Sequence, residues 1–144
     1  EEAILLAKAS AIESDLKMTY IDKADSSPVR ADQKLLKRMI DNLLFNAVRH
    51  TPSGGTIAVY TEVGRESLFI HIKDSGPGLK EADPELLFEK YGQIRLRGQG
   101  RHRGVGLGLY FCRLAATAMG GTIVADDHPQ GGAVFSIRLK KAEE

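Results

Sequence analysis

Three stretches of this chain carry residue types that could act together on a small charged ligand. The first is Asp41-Asn42-Leu43-Leu44-Phe45-Asn46-Ala47-Val48-Arg49-His50, with two asparagines one helical turn apart. Asn is a middling-to-poor helix former because its amide competes with the backbone for hydrogen bonds, so this pair asks for a reason. At about 100° per residue, Leu35, Leu36, Met39, Ile40, Leu43, Leu44, Ala47 and Val48 form one broad apolar face. Asn42, Asn46 and Arg49 share a stripe along its edge, beside Leu35 and Met39. That stripe presents two carbonyl oxygens and a cation on one surface.

The second stretch is Asp74-Ser75-Gly76-Pro77-Gly78, directly after a strand pattern. Alternation puts Leu68, Ile70, Ile72 and Asp74 on one face, so the carboxylate points the same way as the aliphatics. A carboxylate at the mouth of an apolar pocket needs a donor, and the exocyclic amine of a purine would serve. Gly76 and Gly78 allow a tight turn and close approach of a flat ligand to the backbone. The plainer alternative is a turn after a strand, with Asp74 capping local amides.

The third stretch, Gly104-Val105-Gly106-Leu107-Gly108-Leu109, opens a helix. Glycines there let backbone N–H groups reach an anion, and the positive end of the helix dipole adds to the attraction. Close helix–sheet packing through small residues is the alternative. The run lacks the Gly-Lys-Ser/Thr ending of a Walker A loop. Its G-x-G-x-G spacing, with no long strand just before it, does not match a dinucleotide fingerprint either.

Leu87-Phe88-Glu89-Lys90-Tyr91 holds two aromatics that could wall a pocket, anchor a loop or simply belong to the core. Gly92–Arg103 follows with three glycines and four arginines, Arg95, Arg97, Arg101 and Arg103. Such a segment is a mobile loop, either a plain solvated charge run or, beside phosphates, a closing lid.

These groups need elements to hold them. Residues 1–14 are predicted as a helix, Lys17–Asp22 as a short strand, 24–28 as a loop and 29–31 as extended chain. Asp32 is a good N-cap for a helix running to about His50, and Thr51-Pro52-Ser53-Gly54-Gly55 is a turn. Thr56–Val63 and Ser67–Lys73 alternate as strands of a hairpin joined at Gly64-Arg65-Glu66. A short helix over Pro84–Glu89 and a longer one over Val105–Met119 follow. Thr122–Asp126 and Ala133–Lys140 close as strands around Pro129-Gln130-Gly131-Gly132. Hairpin-linked strands with helices between them predict an α+β two-layer sandwich, a mixed sheet covered on one face.

Composition narrows the partners. The 144 residues read as a single domain, 1–144, large enough to bury a core without staples. A net charge of +1 with 27% charged residues gives no argument for a nucleic-acid partner. The single cysteine, Cys112, excludes an internal disulfide and fits a reducing compartment, so a cytoplasmic location is expected. Cys112 itself is expected to be a buried small hydrophobe. None of the four histidines stands at a metal-ligand spacing. No apolar run approaches a membrane span, so no direct membrane contact is expected. The abrupt helical start, EEAILLAKASAIESDL, suggests a domain cut from a longer parent.

In order along the chain, DNLLFNAVRHTP, DSGPGL, LFEKY and GVGLGL resemble the N, G1, F and G2 boxes of the ATP-binding catalytic domain of two-component sensor histidine kinases. Any one of these is weak; four in the right order are specific. The resemblance covers most of residues 32–121. It implies a Bergerat-type sandwich with a mostly antiparallel sheet, and ATP and Mg²⁺ as cofactors. By the same resemblance Asn46 supplies an oxygen to the Mg²⁺, and Asn42 lines the site one turn behind. Arg49 contacts phosphate and His50 lies near the nucleotide. Asp74 accepts from the adenine amine, helped by Gly78 through water, with Gly76, Leu79 and Tyr91 nearby. Gly104, Val105, Gly106, Leu107, Gly108 and Leu109 meet the phosphates under the lid. Asn46, Asn42 and Arg49 are then the catalytic candidates. The implied partners are a histidine-containing dimerisation domain of the same parent, reached through a linker ending in residues 1–16, and a downstream response regulator. The parent is either soluble or membrane-anchored.

Two departures stand out. The family usually carries Thr shortly before the last strand's Phe, whereas Gly132-Ala133-Val134-Phe135 offers no hydroxyl, worth about 1 kcal/mol of one hydrogen bond. No segment resembles a phosphoacceptor box, with His followed by Glu/Asp-x-Arg-x-Pro. Two other readings remain. Hydrolytic or serine-phosphorylating relatives carry Glu one turn before the Mg-binding Asn, where this chain has Asn42, which cannot take a proton. A degenerate, non-catalytic binding module is the other, against which Asn46, Asp74 and the glycines argue.

Overall fold

The computed structural model describes residues 15–22, 31–79, 83–89 and 108–142. The helix expected over residues 1–14, the extended residues 29–30 and the arginine-rich loop 92–103 lie outside the described residues. Five strands, β1 (Lys17–Ile21), β2 (Thr56–Val63), β3 (Ser67–Asp74), β4 (Thr122–Asp127) and β5 (Ala133–Lys140), form one sheet in the order β1-β2-β3-β5-β4. Only β1 and β2 run parallel, and the other three pairings are antiparallel. Parallel neighbours need a crossover, and helix α1 (Gln33–His50) supplies it. Helices α2 (Pro84–Leu87) and α3 (Gly108–Ala118) complete the described elements.

Register explains the two layers. Val59 pairs with Ile72, Ile72 with Phe135 and Phe135 with Ala125, so these buried side chains form one row across the sheet. Thr61, Ile70, Ile137 and Ile123 form the next row on the same face. Met39, Leu43, Leu44 and Ala47 of α1 and Leu109, Cys112, Ala115 and Ala116 of α3 join the same core. The broad apolar stripe read from the sequence is thus the buried face of α1. Cys112 is fully buried, with its thiol directed at the Met39 carbonyl at 3.6 Å, and burial pushes the thiol pKa up to about 12.

The ends of α1 are set locally. Asp32 caps it, its carboxylate accepting from Lys34 N at 2.9 Å and Leu35 N at 3.2 Å, as Asp at an N-cap should. At the other end Thr51 donates through both its N–H and its hydroxyl to the Ala47 carbonyl, and Pro52 cannot continue the helix. Arg49 occupies the last turn, where a cation complements the helix dipole, and His50 ends the helix. These caps fix where the Asn42–His50 edge stands relative to the strand ends.

Candidate functional site

Asp74 ends β3 on the core face, opposite Ile57, and is only 5% exposed. Its Oδ1 accepts from the backbone N–H of Gly76 at 2.9 Å and of Ala133 at 3.4 Å. Among the described residues both bonds fall on Oδ1, so Oδ2 retains its acceptor capacity for a further donor. Burial raises the Asp74 pKa above the ordinary 3.8, and the two backbone bonds pull it back down. Of the two alternatives read from the sequence, the capping of local amides is observed in the structure. The turn-capping role is carried by Oδ1.

The loop after Asp74 is held against its surroundings at several points. Ser75 exchanges two hydrogen bonds with Thr56, its N–H donating to the carbonyl at 3.0 Å and its Oγ accepting from the N–H at 2.8 Å. A Cβ on Gly76 would stand 2.7 Å from the His50 carbonyl oxygen, closer than real Cβ atoms approach. The loop thus rests directly on the last turn of α1, which only glycine permits. From the other side Gly132, at φ +85°, packs on the Asp74 carbonyl so closely that any side chain there would overlap it.

The asparagine edge meets a second element. Gly108, at the start of α3, approaches Asn42 so that an added Cβ would lie 3.3 Å from its Oδ1. The edge of α1 and the positive end of α3 therefore converge. Asn42, Asn46 and His50 are half-buried along this edge, and Arg49 is exposed. Leu109 is buried in the core and Leu79 packs partly against it. Tyr91, Gly104, Val105, Gly106 and Leu107 lie outside the described residues. Of the predicted site, Asn42 and Gly108 on one side and His50, Asp74 and Gly76 on the other are thus brought into contact.

Phe88 belongs to the core, 2% exposed and edge-on to Phe135 with ring centroids 6.1 Å apart. The Arg113 guanidinium lies over the Phe88 ring at 4.5 Å and donates to both carboxylate oxygens of Glu85, at 2.9 and 3.4 Å. Arg113 holds the Glu85 carboxyl below its usual range, chiefly through that hydrogen bonding. The helix predicted over Pro84–Glu89 ends at Leu87, with Phe88 as its C-cap.

Sequence reasoning passed over the β4–β5 turn except as a turn. Ala133 offers no hydroxyl, yet its N–H reaches Asp74, and Asp127 accepts from Leu79 N at 2.7 Å. The available signal was Asp126-Asp127 closing a strand before Pro129–Gly132, but nothing in it points at Leu79, 48 residues earlier.

A mixed sheet with helices on one face, and a site where two helix ends meet the end of a strand, define a two-layer α/β sandwich. Residues 31–143 match the family described as histidine kinase-, DNA gyrase B-, and HSP90-like ATPase, and the chain belongs to that family. It is 34% identical over 140 residues to the adaptive-response sensory kinase SasA of Synechocystis sp., covering 96% of this chain and 36% of the relative. The chain thus spans about a third of that curated relative's length. Among solved structures it superposes on the nucleotide-free catalytic domain of the histidine kinase ThkA with a TM-score of 0.83 and 24% identity, covering 99% of this chain and 91% of that one. ThkA in complex with the response regulator protein TrrA also matches, at TM-score 0.76 and 21% identity, covering 98% of this chain and 39% of that one. Full-length ShkA in complex with AMPPNP matches at TM-score 0.82 and 22% identity, covering 99% of this chain and 30% of that one. The likeness confirms the two-layer fold expected from the sequence. No helix among the described residues is long and apolar enough to cross a membrane.

Proposed function

We propose that this chain is the ATP-binding catalytic part of a sensor histidine kinase, transferring the γ-phosphate of ATP to a histidine on a separate dimerisation domain. The observation that carries this reading is the buried Asp74 carboxylate, whose two hydrogen bonds among the described residues both fall on Oδ1. Oδ2 accepts from the adenine amine, while the glycines of the loop leave room for the flat ring and for a bridging water at Gly78. From there the triphosphate runs toward the convergence of α1 and α3.

The donor set along α1 fits Mg²⁺ in this setting. Asn46 offers a neutral amide oxygen, a hard donor suited to a cation whose charge is mostly balanced by phosphates. A Mg²⁺ held there by Asn46 would supply positive charge to offset that of the phosphates. Asn42 lines the same edge and cannot act as a base toward water, Arg49 contacts phosphate, and the start of α3 directs its N–H groups and dipole at the anion. Catalysis of this kind is positioning plus electrostatic stabilisation. The bond from the γ-phosphorus to its bridging oxygen breaks, ADP leaves with that electron pair, and a P–N bond forms to the histidine ring. The relatives' names support the kinase reading, and ThkA's complex with TrrA supports a response regulator as the next acceptor.

The test is incubation with γ-labelled ATP, with and without the parent's histidine-bearing helical domain. Label that is acid-labile and base-stable, and that appears only with the added domain, is expected. Robust self-labelling of the 144 residues, above all acid-stable label, would instead assign the chain to the serine-phosphorylating relatives.

A further inference from the structure

Asp127 lies outside the residues proposed to touch the nucleotide, yet its carboxylate makes a short contact with the loop that follows Asp74. Asp127 ends β4, paired in register with Ala133 at the start of β5. The two residues hold the same loop at opposite ends. Ala133 donates its N–H to Asp74 Oδ1 at 3.4 Å, and Asp127 Oδ1 accepts from Leu79 N at 2.7 Å. Between these points lies Gly78 at φ +79°, where an added Cβ would come within 2.6 Å of Asp127 Oδ1. A side chain at 78 would push the carboxylate away, so Gly78 both makes the turn and admits Asp127. The Asp127 N–H donates to Asp126 Oδ1 at 2.8 Å, a local turn that helps to set its direction.

We propose that Asp127 is a positioning residue for the nucleotide: it anchors the exit of the Asp74–Leu79 loop to the sheet and so keeps the purine end of the site in place. The assignment rests on the nucleotide-binding reading of Asp74. Asp127 acts through Leu79 and Gly78 and touches no reacting atom. A charged acceptor on a backbone N–H makes a stronger bond than a neutral one, and this bond ties residues 77–79 to a strand end. Without it, among the described residues, the hydrogen bonds that hold the loop would stop at Asp74, Ser75 and Gly76, leaving only the packing of Leu79 on the core beyond them. The purine contact would then be blurred at the Gly78 side while the phosphate end is untouched.

The experiment compares Asp127→Ala and Asp127→Asn with the unsubstituted chain in three measurements. These are Mg-ATP affinity by calorimetry, the ratio of ATP to GTP affinity, and hydrogen exchange at the Leu79 amide. Asp127→Ala is expected to weaken ATP by about five- to tenfold, the size of one ordinary hydrogen bond, because Asp127 is exposed and acts on the nucleotide only through the loop. It should also lower the ATP-to-GTP ratio and speed Leu79 exchange. Asp127→Asn keeps an acceptor oxygen and should restore most of all three. A purely structural role would shift the melting temperature while leaving the nucleotide ratio and the Leu79 amide in step with the rest of the domain. That outcome overturns the proposal, as does an Asp127→Ala variant that binds ATP unchanged. Failure of the unsubstituted chain to prefer ATP would instead strike at the adenine assignment of Asp74. Leu79 exchange would still decide the anchoring role of Asp127, and unchanged exchange in Asp127→Ala would refute it.

Discussion

Replacing Asp74 by Asn changes one oxygen of a buried carboxylate into an NH₂ group and should separate binding from stability. Oδ1 remains the natural partner of the Gly76 and Ala133 N–H groups, so the amide nitrogen falls where Oδ2 stood. Two donors, the amide and the adenine amine, would then face each other. Flipping the amide would turn the clash onto the two backbone N–H groups instead. A hydrogen bond to a charged group contributes about 1.5–3 kcal/mol. At about 1.4 kcal/mol per tenfold, ATP affinity should fall roughly 10- to 150-fold. Stability should move the other way. Burial raises the folded-state pKa of Asp74, so its ionisation opposes folding at every pH above that value. As pH falls through the raised pKa toward the ordinary 3.8, the group protonates in the folded state and the cost disappears. Asp74→Asn removes the cost at all pH values. The variant should therefore melt at or above the parent temperature at neutral pH, with the gap closing as pH falls toward 4 or so. Calorimetric titration with Mg-ATP and paired melting curves across pH give both answers. ATP affinity within twofold of the parent would remove Asp74 from the adenine site, and a variant that melts lower at neutral pH would refute the burial argument.

Asn46→Ala should weaken Mg-ATP about tenfold or more while changing metal-free ATP binding about twofold at most, because an amide oxygen acts on the ion and not on the base. Equal losses with and without Mg²⁺ by calorimetry would take Asn46 out of the metal site. ATP should outcompete GTP about tenfold or more, since a carboxylate facing the guanine carbonyl leaves a buried acceptor mispaired; comparable affinities in a displacement assay would contradict the Asp74 assignment. Gly132→Ala should destabilise the domain by about 1–3 kcal/mol in denaturant unfolding, because its positive φ and its contact with the Asp74 carbonyl both exclude a side chain. Phe88→Ala should cost about 3 kcal/mol or more by the same measurement, as a buried ring packed on Phe135 and under Arg113 is removed. A loss below about 1 kcal/mol would mean that Phe88 is not a core residue.

What the sequence by itself determined are features that depend on near neighbours. The 3.6-residue period of Leu35–Val48 placed α1 and its buried face, because side-chain direction on a helix follows from position alone. The two-residue period of Ser67–Asp74 put Asp74 on the core side for the same reason. Asp32 marked the start of the helix because capping is a local hydrogen-bond exchange, and Pro52 with the paired glycines Gly54-Gly55 marked its end by stopping the period. The four boxes, read in order, were enough to name the family. Tertiary structure decided which distant groups meet. That Gly76 rests on the His50 carbonyl, that Gly108 closes on Asn42, and that Ala133 and Asp127 grip the two ends of one loop all follow from strand order β3-β5-β4 and from the packing of α3 on α1. Local propensity carries no information about that order. Asp127 lies 48 residues from its partner, and only a sheet that sets β5 between β3 and β4 turns a surface aspartate into an anchor for the loop that begins at Asp74.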